Sequence, residues 1–295
     1  MSKSELLEAI AGKIIIADGA IGTELQRAGL EPTACCESWN LDYPERVAAI
    51  HRAYIEAGAR LITTNSFRAN RLALAQFGLE SRVEEINQSA VRIARDAAGN
   101  RAWVMGSIGP LGGLLKPLGE ISIEDAFGVF IEQAHALVAS GVDAIIIETM
   151  TGAQELKIAA RAAREAGAAI VIASMAFDKD HHGYKTMLGV SVEQAIQAMA
   201  EANADVVGTN CGANIAMSDY VEIVRRMRFY TDKPIIAEPN AGQPDIVEGK
   251  IVYKQTPESM EAVIEELIGA GANVIGGCCG TTPEHIRMFG ENLKC

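Results

Sequence analysis

No apolar run in the 295 residues approaches the roughly 18 that a membrane-spanning helix needs, so no membrane partner is expected. Basic residues are outnumbered, 26 Lys and Arg against 38 Asp and Glu, giving a formal charge of -12. An acidic chain matches a phosphate backbone poorly, which argues against a nucleic-acid partner. No Pro/Ser-rich linker or low-complexity tract divides the sequence, so one domain over residues 1–295 is expected. The opening stretch, MSKSELLEAIAGKIIIADG, lacks the apolar core and small-residue cleavage site of an export signal. It reads as an amphipathic helix followed by a strand, and the cytoplasm is the expected location.

Cysteine is scarce too: Cys35, Cys36, Cys211, Cys278, Cys279 and Cys295. In a cytoplasmic chain of this size these read as ligands or plain thiols rather than a disulfide framework. Adjacent cysteines make poor disulfides because so small a ring is strained.

What is present is a beat of short β-branched runs. They are KIIIADG (13–19), RLITTN (60–65), AWVMGSIG (102–109), DAIIIET (143–149), AIVIASMAF (169–177), DVVGTNC (205–211), PIIAEPN (234–240) and NVIGGCC (273–279). Each is apolar almost throughout, as strands buried on both faces are. Helical patterns such as PERVAAIHRAYIEAG (44–58), EDAFGVFIEQAHALVASG (124–141) and PESMEAVIEELIGAG (257–271) fill gaps between them and end in Gly, a common helix stop. Eight strand–helix units predict a closed (β/α)8 TIM barrel, with a doubly wound open sheet as the alternative.

Barrel chemistry sits at the C-terminal ends of the strands. The polar residues there are Asp18, Asn65, Ser107, Glu148, Asn210, Cys211, Glu238, Asn240, Cys278 and Cys279. No strand ends in the lysine that an aldolase-type barrel uses. Cys211 closes the sixth run, and Cys278 with Cys279 closes the eighth. Strands lie about 4.8 Å apart, so inward-pointing side chains from these ends can reach one ion. Neighbouring side chains on a strand point to opposite faces. The glycines at 276, 277 and 280 are expected to bend the backbone, through φ > 0, until both thiols face one point. Three thiolates make a soft site suited to one Zn²⁺ per chain, and three protein ligands leave a position open, as catalytic sites do. Zinc with three thiolates carries a net -1. It activates water weakly but can hold a substrate thiol as a nucleophilic thiolate. The chemistry expected is attack by a substrate sulfur on an electrophilic carbon such as a methyl group.

The sequence resembles the homocysteine S-methyltransferase family, and most closely the homocysteine-binding module of cobalamin-dependent methionine synthases. The motifs are ADGAIGTELQ (17–26), HRAYIEAGARLITTNSF (51–67), GSIGPLGGLLKPLGE (106–120), IIIETM (145–150), GTNCG (208–212), IIAEPNAGQP (235–244) and GGCCGTTPEHI (276–286). The resemblance implies a barrel with zinc held by Cys211, Cys278 and Cys279 and homocysteine sulfur as fourth ligand. It implies that Glu148 holds the substrate's amino group, with Asp18 in the same pocket. Asn210, Glu238 and Asn240 are further candidates for shaping that pocket. No segment resembles a cobalamin-binding or folate-binding module. The methyl is therefore expected from a small molecule or a separate protein, and because EPNAGQPDIVEGKIVYKQTPESM (238–260) resembles the cobalamin-linked branch, the expected donor is methylcobalamin on a separate corrinoid protein docked over the barrel mouth. S-methylmethionine or another onium donor is the alternative, and a zinc- or thiol-binding module without turnover is a third reading.

Two features depart from the family pattern, Arg68 and the stretch 177–189. Arg68 follows NSF, where it either meets a substrate carboxylate or is solvated. FDKDHHGYKTMLG (177–189) reads as a solvated loop, despite His181 and His182. Cys35 and Cys36 have no glycine frame and read as structural or incidental. His285 is expected in the last helix.

Overall fold

The computed structural model describes residues 3–247 and 250–292, so Cys295 lies outside the described residues. Each of the eight runs contains a strand: β1 (Ile15–Ile16), β2 (Leu61–Thr63), β3 (Trp103–Ile108), β4 (Ala144–Met150), β5 (Val171–Met175), β6 (Val206–Asn210), β7 (Ile235–Glu238) and β8 (Val274–Ile275). All pair in parallel, in the order β1-β8-β7-β6-β5-β4-β3-β2. A parallel bridge between Ala17 and Leu61 closes the ring. Two backbone bonds flank it, Arg60 N–H to Ile16 O at 2.7 Å and Asp18 N–H to Leu61 O at 2.9 Å. The fold is a (β/α)8 barrel, not an open sheet.

Local chemistry supports the outer helices. Thr256 caps helix Pro257–Gly269 by accepting from Ser259 N–H, and Pro257 fills the first turn, where no N–H partner is needed. That helix ends at a left-handed Gly271 (φ 110), and Ala272 N–H closes back on Leu267 O at 3.0 Å. This is the 6→1 bond of a Schellman stop.

The barrel interior is layered, because side chains on one strand face alternate with period 2. Its lower layers are apolar: Ile15, Leu61, Met105, Ile146, Ile172, Ile236 and Val274 belong to one buried cluster. Leu6 and Ile10 of the first helix (α1, Lys3–Gly12) are fully buried in the same cluster, so α1 plugs the N-terminal end of the barrel. Burying those two side chains contributes on the order of 3–6 kcal/mol. Two residues further along, the same faces carry Thr63, Ser107, Glu148, Ser174, Glu238 and Gly276. The interior thus turns polar at its C-terminal end.

Two hairpins stand on that end. Asp178–Asp180 pairs with Gly183–Lys185, and Pro244–Val247 with Lys250–Tyr253. The first replaces the expected loop. It is pinned down because Asp178 accepts from Ala213 N–H (2.8 Å) and Asn214 N–H (2.7 Å), while Asp219 holds both Lys179 and Tyr184 at 2.8 Å. His181 and His182 sit exposed in its turn, as a solvated position requires.

Candidate active site

The polar layer opens into a cavity of about 310 Å³. Its wall includes Asp18, Ser107, Glu148, Glu238, Cys211, Cys278 and Cys279. The three cysteine Sγ atoms lie within 4.8 Å of one another, and among the described residues they are the one group of three or more His, Cys, Asp or Glu so disposed. Sulfurs around a tetrahedral zinc with bonds of about 2.3 Å sit roughly 3.8 Å apart, so the donor set fits that ion with a small closure.

Backbone conformation aims these sulfurs. Cys211 leaves β6 in the left-handed region (φ 56), braced by Tyr220 Oη donating to its carbonyl at 2.5 Å. After β8 the chain departs from the pleat at once: Gly277 N–H bonds Asp18 O, Cys278 N–H bonds Pro239 O, and Cys279 O accepts from Ala241 N–H, each at 2.9 Å. Only Gly280 of the framing glycines has positive φ, at 82°. Gly276 and Gly277 act by size instead. A Cβ on Gly276 would lie 2.9 Å from Ala17 Cβ and from Asp18 O, and one on Gly277 would lie 2.4 Å from Thr281 Oγ1. The sequence pattern was right about the bend and wrong about its cause at those two positions.

Hydrogen bonds with Cys211 and Cys278 push Cys279 down to about 3, while those of Cys278 with Cys211 and Cys279, together with burial, push Cys278 well up. Tyr253, from the second hairpin, adds a hydroxyl to Cys279, and its ring packs on Gly280. Nothing in the sequence around Tyr253 signals that role.

Carboxyl groups stand beside the sulfurs. Asp18 accepts from Thr63 N–H (2.8 Å) and Thr63 Oγ1 (2.9 Å). Burial nevertheless pushes its carboxyl up to about 7. Glu148, half-buried against the cavity, accepts from Ser107 Oγ at 2.6 Å and Asn210 Nδ2 at 3.3 Å. Burial raises it to about 7, with the Cys211 sulfur adding repulsion. Glu238 is buried and raised well above the usual carboxylate range by burial, then by Glu148 and Asp18.

Asn210 and Asn240 sit behind the wall rather than on it. Asn210 donates to Thr149 Oγ1 (2.7 Å), Glu148 and Cys278 Sγ (3.8 Å), and accepts from Thr149 N–H (2.9 Å) and Ser174 Oγ (2.7 Å). It joins the carboxyl side of the pocket to the sulfur side. Asn240 Nδ2 donates to Gly212 O at 2.8 Å, and its Oδ1 is buried without a partner. Thr63 and Ser174 were missed by sequence reasoning, although the period-2 alternation of their strands points to them.

Cys35 and Cys36 are not incidental to the cavity: they line its outer wall with Glu37 and Arg68. The loop carrying them folds over the mouth because Asn65 Nδ2 donates to Cys36 O (2.9 Å) and Arg68 N–H to Glu37 Oε1 (2.8 Å). Burial raises Cys35 to about 11 and Cys36 to about 12, so both remain protonated thiols. The Arg68 guanidinium is exposed and bonds Gln76 at 3.1 Å. His285 lies in helix Pro283–Asn292, its ring nitrogens facing Thr282 Oγ1 and Gln255 O at 3.0 Å each, away from ligand duty.

Comparison with known proteins gives a consistent picture. The methionine synthase of Mycobacterium leprae is 32% identical over 307 residues, covering 96% of this chain and 24% of that protein. The methionine synthase of Mycobacterium tuberculosis is equally similar, 32% over 96% of this chain and 25% of the relative. The chain thus spans about a quarter of the length of these relatives. Among solved structures, the metallated homocysteine methyltransferase MmuM of Escherichia coli superposes with a TM-score of 0.80 at 23% identity, covering 98% of this chain and 99% of that one. No described helix is long and apolar enough to cross a membrane. The homocysteine S-methyltransferase pattern matches residues 15–293, and the chain belongs to that family.

Proposed function

We propose that the chain transfers a methyl group to the thiol of homocysteine, giving methionine, at a zinc ion held by Cys211, Cys278 and Cys279. The convergence of three sulfurs within 4.8 Å on the wall of an acidic cavity carries this reading. Zinc bound there supplies the positive charge that keeps an incoming thiol deprotonated at neutral pH. The remaining work falls to the chain itself. Asp18 and Glu148 receive the substrate's ammonium. Asn210 fixes Glu148 relative to Cys278. The apolar barrel below the polar layer gives the site a dry floor. In the transfer a C–S bond forms to the methyl carbon while the carbon's bond to its carrier breaks, its electron pair staying with the carrier.

The favoured donor is methylcobalamin on a separate corrinoid protein, on the strength of the likeness to methionine synthases. A small onium donor such as S-methylmethionine is the second reading, favoured by three carboxyls beside the sulfurs, which attract a cation. Supplying methylcobalamin, S-methylmethionine and betaine in turn with homocysteine, and following methionine, separates them. Methionine from methylcobalamin alone supports the first reading. Methionine from none, with homocysteine still bound, leaves a binding module and overturns both.

A further inference from the structure

Four carboxyls line the cavity: Glu37 at its outer wall, and Asp18, Glu148 and Glu238 beside the sulfurs, where their hydrogen-bonding states differ. Asp18 and Glu148 each take two bonds from the protein, which fix their orientation. Glu238 is 5% exposed, lines the same cavity, and its carboxyl has no hydrogen-bond partner among the described residues. Its oxygens are not shut into the packed wall but open onto the cavity, so the group that completes them is one the cavity receives. Burial favours the neutral carboxyl in the empty site, whereas an arriving ammonium favours the carboxylate, which offers only acceptors and takes the ammonium's N–H groups. A primary ammonium has three N–H donors, and three carboxyls on β1, β4 and β7 face one space.

We propose that Glu238 is a specificity-determining residue that selects acceptor thiols carrying a primary ammonium, taking one N–H while Asp18 and Glu148 take the others. This rests on the thiol-accepting function above and adds a third contact to it. The clustered carboxyls cannot all ionise together until an ammonium compensates them, so the site favours the amino acid over the same thiol without its amine.

The test is calorimetric binding of homocysteine and of 4-mercaptobutanoate, its des-amino counterpart, to the zinc-loaded protein. A charged hydrogen bond in a buried site corresponds to about a 10- to 100-fold difference in affinity. The wild type should prefer homocysteine by at least that factor. Glu238→Gln should bind homocysteine about 10- to 100-fold more weakly, bind 4-mercaptobutanoate as well or better, and keep one zinc per chain. Glu238→Asp, which keeps the charge but withdraws it, should fall between. A Glu238→Gln protein that retains the wild-type preference overturns the role of Glu238 alone. A wild type that binds both thiols equally overturns it without any variant. A zinc-loaded wild type that binds neither thiol overturns the thiol-acceptor function, and this inference with it.

Discussion

Asn210→Ala removes one side chain that touches Glu148, Thr149, Ser174 and Cys278. Ser174 is fully buried, so its hydroxyl loses its acceptor with no water to replace it, at a cost of about 1–3 kcal/mol. Thr149 and Glu148 line the cavity, where water can substitute, and their lost bonds cost about 0.5–1.5 kcal/mol each. The expected destabilisation is about 3 kcal/mol, or a fall in Tm of roughly 6–10 °C. Asn210 also donates to Cys278, a proposed zinc ligand, so zinc affinity should fall about 10- to 100-fold. Thermal melts of the apo protein and competition against a zinc chelator read the two effects separately. Ser174→Ala provides the contrast: it should lower stability by about 1 kcal/mol and leave zinc affinity unchanged. An Asn210→Ala protein within 0.5 kcal/mol of the wild type, with undiminished zinc affinity, would refute the view that this asparagine joins the two halves of the site.

Cys211→Ser or Cys278→Ser should lose bound zinc and methyl transfer together while leaving far-UV circular dichroism intact, since neither thiol packs the core. Full activity in either variant after chelation would count against the metal site. Glu148→Ala should weaken homocysteine binding about 10-fold or more and zinc binding far less; equal losses would make Glu148 a scaffold residue. His51 is fully buried with both ring nitrogens unpartnered among the described residues, and burial, helped by Arg52, lowers its pKa from 6.5 to about 4. Its folded pKa lies below the unfolded value, so its contribution is intact above pH 6.5 and is lost as pH falls towards 4. The stability gap between His51→Leu and the wild type should therefore widen by about 3 kcal/mol between pH 7 and pH 4 in denaturant titrations. Using the difference between the two proteins cancels the opposite trend of Asp18, Glu148 and Glu238. A constant gap would show that the imidazole is solvated.

The eight strands were legible because a strand buried on both faces must be apolar along its length, and each such run, IIIAD or AIIIET alike, ended in a turn signal. The three converging cysteines were legible for a related reason. Polar residues at strand ends have few structural uses in a barrel, so Cys211 and the 278–279 pair stood out. What stayed hidden depends on pairings distant in sequence. The opening stretch read only as an amphipathic helix, yet its Leu6 and Ile10 seal the barrel floor. Cys35 and Cys36 reach the cavity only through Asn65 and the Arg68 amide. No periodicity could reveal that Tyr253 meets Cys279 across a hairpin, or that Glu238 has no partner.

X-ray absorption at the zinc edge bears most directly on the metal site. One zinc per chain is expected, with three sulfurs and one lighter atom in the resting protein, becoming four sulfurs when homocysteine is added. A zinc shell that stays unchanged with homocysteine bound, or full methyl transfer by a protein shown to hold no zinc, would contradict it.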